Sequence, residues 1–193
     1  MNIYIDRPQF VLGFHGCEKE TRDKILNSPK EHLSKSINDY DWLGSGVYFW
    51  LNDPQRAMEW AKRKDKKGMQ KLKNPAVIGA IIDLKHCLNF AERECIEIIQ
   101  TGYELFRTHN EITELENKAP DDGGFTLLRN LDCAIINYTC ELLKKEGQEV
   151  NTVMGYFQES TPAYTGAGIR AKSHIQLCVR DVSCIKGYFM PRE

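Results

Sequence analysis

Leu43-Gly44-Ser45-Gly46-Val47-Tyr48-Phe49-Trp50 runs almost directly into Asn52-Asp53-Pro54, and the reading of this stretch decides the fold. Val47 to Trp50 are β-branched and aromatic, the composition of a short strand, and the glycines before them permit a tight approach of backbone. Asp53 then stands before a proline that suits the first helical position, where its missing N–H costs nothing. The strand is therefore expected to pass into a helix carrying Ala57, Met58, Trp60 and Ala61.

Upstream, Val11-Leu12-Gly13-Phe14-His15 predicts a strand and 18–27 a helix, with Ile25 and Leu26 facing inward before the Ser28-Pro29 break. Residues 29–42 are polar and turn-rich. Downstream, Val77-Ile78-Gly79-Ala80-Ile81-Ile82-Asp83-Leu84 is a continuous apolar run, which predicts a central strand buried on both faces. Asn89 can cap a helix over 90–106. A second helix over 125–146 shows Leu128, Leu131, Ile135, Tyr138 and Leu142 at three- and four-residue steps, and Gly147 stops it. Strands over 152–158, 174–180 and 185–190 close the chain. No repeat and no linker divides it, so one α+β domain over 1–193 is expected, with the first and last strands lining one cleft.

The formal charge is −1, so no whole-molecule field draws the chain to nucleic acid or anionic lipid, and any polyanion site must be local. The start MNIYIDRPQF has no charged leader followed by an apolar run, and no apolar stretch approaches the ~20 residues that span a bilayer. A cytoplasmic protein without a membrane partner is expected. Seven cysteines, mostly in apolar segments and with no C-x-x-C pair, predict buried reduced thiols and no metal site.

Three separated pieces carry the chemistry: Gly13-Phe14-His15-Gly16-Cys17, the block from Leu43 to Trp50, and Ser173-His174-Ile175-Gln176. Together they resemble the ADP-ribosyltransferase superfamily, in the branch with a His-Tyr-Glu triad shared by diphtheria-like toxins and poly(ADP-ribose) polymerases. That resemblance implies an ADP-ribosyltransferase-like split mixed β-sheet core with flanking helices. It also implies NAD as co-substrate and mono-ADP-ribosyl transfer to a protein side chain or nucleic acid. A toxin-like member would have a cognate inhibitor protein as a further partner. The region 85–150 has no counterpart in the family pattern.

Nicotinamide is a flat cationic ring, so its site needs an aromatic face and hydrogen-bonding groups placed without obstruction. Tyr48 supplies the face, Gly16 an open amide and carbonyl, and His15 a ring nitrogen for a ribose hydroxyl. The matching motifs bring Cys17, Gly46 and Phe49 into the same expected cofactor site. Cleavage passes through an oxocarbenium-like state that a carboxylate stabilises best. Here the family's late-strand glutamate is replaced: alternation puts His174, Gln176 and Cys178 on one strand face, so Gln176 stands at the glutamate position. The nearest carboxylate is Glu159, and the catalytic assignment is Glu159, Gln176 and His174, with His174 equally suited to bridging strands. In the loop 160–172, Tyr164 is placed to touch an acceptor and Arg170 or Lys172 to meet the pyrophosphate.

A chain with Gln176 also fits an NAD-binding interaction module or a slow NAD hydrolase, and labelled NAD separates these from a transferase. The RNA 2′-phosphotransferases use NAD on the same fold, but their basic residues find no match here. The run Lys62-Arg63-Lys64-Asp65-Lys66-Lys67 reads as a solvated helix end, with contact to a phosphate-rich acceptor as the alternative. Trp42, Trp50 and Trp60 read as core anchors.

Overall fold

A nine-residue antiparallel ladder joins β1 (Phe10–Glu18) to β3 (Pro75–Asp83), from Phe10↔Asp83 to Glu18↔Pro75. It is the longest pairing among the described residues, as expected of two apolar runs with matching lengths. The structure, a computed structural model, describes residues 10–64, 68–109, 115–118 and 128–192. Residues 65–67 of the basic run and 125–127 of the expected second helix lie outside the described residues.

Between those strands come α1 (Lys19–Leu26), β2 (Val47–Leu51) and α2 (Pro54–Ala61). The predicted start of α2 holds: the Asp53 carboxylate accepts from Arg56 N–H at 2.8 Å, with Pro54 in the first turn. After β3 follow β4 (Cys87–Asn89), α3 (Arg93–His109), β5 (Asn117–Lys118), β6 (Leu128–Arg129) and α4 (Asn130–Lys145). The chain ends through β7 (Thr152–Phe157), β8 (His174–Val179) and β9 (Ile185–Phe189). The expected α+β class is observed. Among the described residues seven strands form one mixed sheet in the order β4-β7-β8-β2-β1-β3-β9, with four α-helices beside it. Only β4 and β7 pair in parallel among the described residues; the other ladders are antiparallel.

Several expectations need correction. The strand β3 is packed on both faces, with Ile78 and Ile82 in one cluster and Val77 in another, yet it lies next to an edge, and β2 is the central strand. The last strand β9 is the edge beyond β3, so β8 and not β9 joins β1 and β2 at the hollow described below. Asn89 caps a turn, accepting from Ala91 N–H at 3.1 Å, and α3 begins only at Arg93. Leu128 belongs to β6 and not to the helix, because β5 and β6 pair through Lys118↔Leu128.

Period-two alternation sorts the core as the sequence implied. Leu177 and Val179 enter a cluster with Phe49, Ile78, Ile82 and the α1 residue Ile25, while Cys178 joins Leu43, Ile136 and Val153 on the α4 side. Six of the seven cysteines are buried, Cys87 is half-buried, and all are free thiols. Among the described residues no helix is long and apolar enough to cross a membrane.

Candidate active site where the sheet parts

Strands β1 and β2 pair at only two positions, Gly13↔Leu51 and Phe14↔Trp50. One hydrogen-bonding step further the register would set Gly16 opposite Tyr48, but there the strands have separated. The backbone groups of β2 on that side find other partners. Nδ1–H of His15 donates to the Tyr48 carbonyl at 2.6 Å, and Ser36 exchanges two backbone bonds with Gly46, at 2.8 and 3.0 Å. A ring nitrogen and a loop residue thus complete the pairing that β1 abandons, so the sheet opens without orphaning buried carbonyls of β2.

A hollow of about 710 Å³ occupies the opening, within the range typical of small-molecule sites. Its walls come from distant segments: His15 of β1, Gly46 just before β2, Tyr48 and Trp50 of β2, and Gln176 of β8. Arg56, Glu59 and Trp60 of α2, Arg63 just beyond that helix, and Glu159 and Lys172 flanking the loop before β8 add the charged side. Ser34, Asn38, Tyr40 and Asp41, from the segment read only as polar and turn-rich, close the remaining face. His15 and Tyr48 therefore share one hollow, as the sequence reading required.

Hydrogen bonding sets the state of His15. A carbonyl can only accept, so Nδ1 carries the proton, and burial lowers the pKa below 6.5 despite the opposing Tyr48 bond. The ring is neutral, and Nε2 is an acceptor suited to a hydroxyl donor. Tyr48 is fixed at its far end, accepting from Leu43 N–H at 2.8 Å and donating to the Gly44 carbonyl at 2.6 Å. Burial keeps its phenol protonated. The turn it grips is held from outside by α4, where Asn137 Oδ1 accepts from Ser45 N–H at 2.9 Å and from Arg180 at 2.8 Å.

Two glycines are compelled by packing. A Cβ on Gly16 would lie 2.3 Å from the Ala57 carbonyl oxygen, so its bare face seats α2 and does not border the hollow. Its backbone is another matter: the Leu12 carbonyl bonds Asn52 N–H on the β2 side, and alternation turns the N–H and C=O of Gly16 the same way, into the gap. A Cβ on Gly46 would lie 2.5 Å from Cys178 Sγ, so this residue both lines the hollow and admits β8.

Four expected site residues fall elsewhere. Cys17 and Phe49 sit in the core behind β1 and β2, where burial raises the Cys17 thiol to about 11 and Phe49 backs the His15 ring at 6.0 Å. Arg170 bridges Pro162 within its own loop and does not line the hollow. His174 lies beneath the floor, between the rings of Trp50 and Phe157 at 6.4 and 6.0 Å, and its Nδ1–H donates to the Lys172 carbonyl at 2.8 Å. Burial lowers its pKa as well, so His174 is a neutral holder of the loop's end.

Glu159 and Gln176 do reach the hollow, in unequal states. Glu159 is ion-paired with Arg56 at 2.5 Å, and both side chains are largely shielded, at 17% and 15% exposure. Arg56 also faces Glu59 at 3.6 Å, and Lys172 meets Glu59 at 3.2 Å. The sequence reading missed Arg56, although its position one helical turn from the cap aims it past Trp50 toward the sheet. Gln176 Oε1 and Trp50 Nε1 are buried without a hydrogen-bond partner among the described residues. Such orphaned groups usually await a ligand, an ordered water or a role in chemistry. No protein-family model, curated protein or solved structure matches this chain.

Proposed function

We propose that this chain is an NAD-dependent mono-ADP-ribosyltransferase built on the split sheet of the ADP-ribosyltransferase superfamily. The observation that carries the reading is the convergence of His15, Tyr48 and Gln176 on one hollow at the point where β1 and β2 separate. Their chemistry suits a nicotinamide riboside: an aromatic wall, a neutral imidazole with an acceptor nitrogen, an amide without a protein partner, and the Gly16 backbone facing the gap.

In the proposed reaction the bond from ribose C1′ to the nicotinamide nitrogen breaks, and its electron pair neutralises the pyridinium. A lone pair on the acceptor forms the new bond to C1′, and the acceptor's proton passes to a base or to water. Tyr48 holds the leaving ring, His15 accepts from a ribose hydroxyl, and Gln176 orients the ribose. Glu159 brings a carboxylate to the wall of the hollow, but Arg56 already matches its charge, so the field it lends an oxocarbenium-like state is weakened. Slow transfer follows from that pairing.

The same ion pair favours a second reading, an NAD-binding module or weak NAD hydrolase. Incubating the protein with NAD labelled in the adenylate half and a cell lysate decides between them. Label fixed to macromolecules is the expected result, and nuclease or protease treatment then identifies a nucleic-acid or protein acceptor. Free labelled ADP-ribose alone supports hydrolysis. Absence of both products and of binding ends the NAD reading.

A further inference from the structure

The charged groups around the hollow are unevenly balanced. On the side of β8, Arg56 is engaged by Glu159 and Glu59, and Lys172 by Glu59, so the cations there are already matched. Arg63 stands differently. Its guanidinium lies over the Trp60 ring, 3.6 Å from the centroid, and the residue is exposed. Removal from water at that ring face lowers its pKa, and the opposing influence comes from Tyr40 and not from a carboxylate. Stacking occupies the π-face and leaves the N–H donors at the guanidinium edge, the geometry that receives phosphate oxygens.

The backbone under this side chain is fixed from both directions. Arg63 N–H donates to the Trp60 carbonyl at 3.1 Å, the Arg63 carbonyl accepts from Lys71 N–H at 3.2 Å, and Lys64 bridges Gln70. Trp60 is itself packed against Trp50 at 5.8 Å and His15 at 6.2 Å. The arginine is therefore tied, through one indole, to the imidazole expected to hold a ribose. A side chain that sequence alone places on a solvated helix end is presented to the hollow instead.

We infer that Arg63, seated on Trp60 at the wall of the hollow, is the docking point for a diphosphate ester, the pyrophosphate bridge of a dinucleotide. This rests on the NAD reading for the identity of the ligand, though not for the anion itself. It moves the phosphate contact to Arg63 from Arg170, which is outside the hollow, and from Lys172, which lines the hollow but is paired with Glu59. The pyrophosphate then lies near Arg63 while the nicotinamide riboside reaches toward Tyr48 and Gln176.

The test measures binding of inorganic pyrophosphate, ADP-ribose and nicotinamide riboside by calorimetry to the wild type, Arg63→Gln and Arg63→Lys, with a melting curve for each variant. The expected result is about tenfold weaker pyrophosphate and ADP-ribose binding in Arg63→Gln, an intermediate loss in Arg63→Lys, and unchanged nicotinamide riboside binding at a wild-type melting temperature. Equal affinity of wild type and Arg63→Gln for the two phosphate ligands overturns the assignment, as does a wild type that binds neither. Arg63-dependent ADP-ribose binding in a protein that leaves NAD unprocessed supports the anion seat and removes the transferase reading.

Discussion

Two hollows share one face of the sheet and one residue, Trp42, and they differ in almost everything else. The larger, about 1460 Å³, lies between α3, α4 and β7 and is lined mainly by aliphatic and aromatic side chains such as Ile96, Ile99, Ile135 and Phe157. The smaller is half that size and gathers an imidazole, two phenols, two amides, three indoles and several charges. The acids bordering the larger hollow have cationic neighbours close in sequence: Glu97 with Arg93 and Glu104 with Arg107 on α3, and Asp132 with Arg129 just before α4. The smaller adds to its local Arg56–Glu59 contact two pairs between elements far apart in the chain, Arg56 with Glu159 and Lys172 with Glu59. Volume follows how helices rest on a sheet, whereas converging polar groups with orphaned atoms mark a place for chemistry.

The largest expected effect on this contrast comes from Tyr48→Ala. It removes an aromatic ring packed against the α4-side cluster and frees the Leu43-Gly44 turn, so a loss of about 3 kcal/mol in denaturant unfolding is expected together with loss of NAD binding. Tyr48→Phe retains the ring and separates the two: about 1 kcal/mol in stability, with NAD binding kept. If Tyr48→Phe abolishes binding, the ring is not what the ligand uses.

Glu159→Gln is expected to cost about 1 kcal/mol, since it leaves the partly shielded Arg56 with only the more distant Glu59. NAD affinity should hold while turnover falls about tenfold. Turnover equal to wild type would remove the carboxylate from the reaction.

Acid sharpens the comparison further. Burial, against opposing backbone hydrogen bonds, lowers both His15 and His174 below 6.5. Above that pH both are neutral in the folded and unfolded chain, and their contribution is complete. As pH falls below about 6.5 the unfolded chain takes up protons first, so stability declines toward the folded pKa values. Unfolding midpoints at about pH 8 and about pH 5 should differ less in His174→Gln than in the wild type; an equal drop would mean that burial does not lower the pKa of that ring.

The smallest effect belongs to the larger hollow. Ile96 is 38% exposed on its wall, and Ile96→Asp should change stability by about 0.5 kcal/mol or less and leave NAD binding untouched. A large loss of NAD affinity there would dissolve the division between the two hollows.

Much of this architecture was legible before any coordinates. The Asp53-Pro54 cap, the strand before it, the β8 alternation and the end of α4 ahead of Gly147 each depend on side chains a few residues apart, acting through local sterics and hydrogen bonds. His15 and Tyr48 were found because each sits in a short motif of its own. Cys17 and Phe49 were misplaced for the same reason: a motif names neighbours in sequence, but alternate residues of a strand face opposite ways.

By itself the sequence determined where the longer strands and helices form and which face of each is apolar, since those follow from periods of two and 3.6 residues, while the short β4, β5 and β6 depend on partners from elsewhere in the chain. Only the tertiary structure decided that β1 and β2 separate after two pairs, that Arg56 neutralises Glu159 across 103 positions, and that Arg63 lies on Trp60 beside a hollow. Pairings between distant segments are settled by how the sheet and α2 pack together, and no local pattern carries that information.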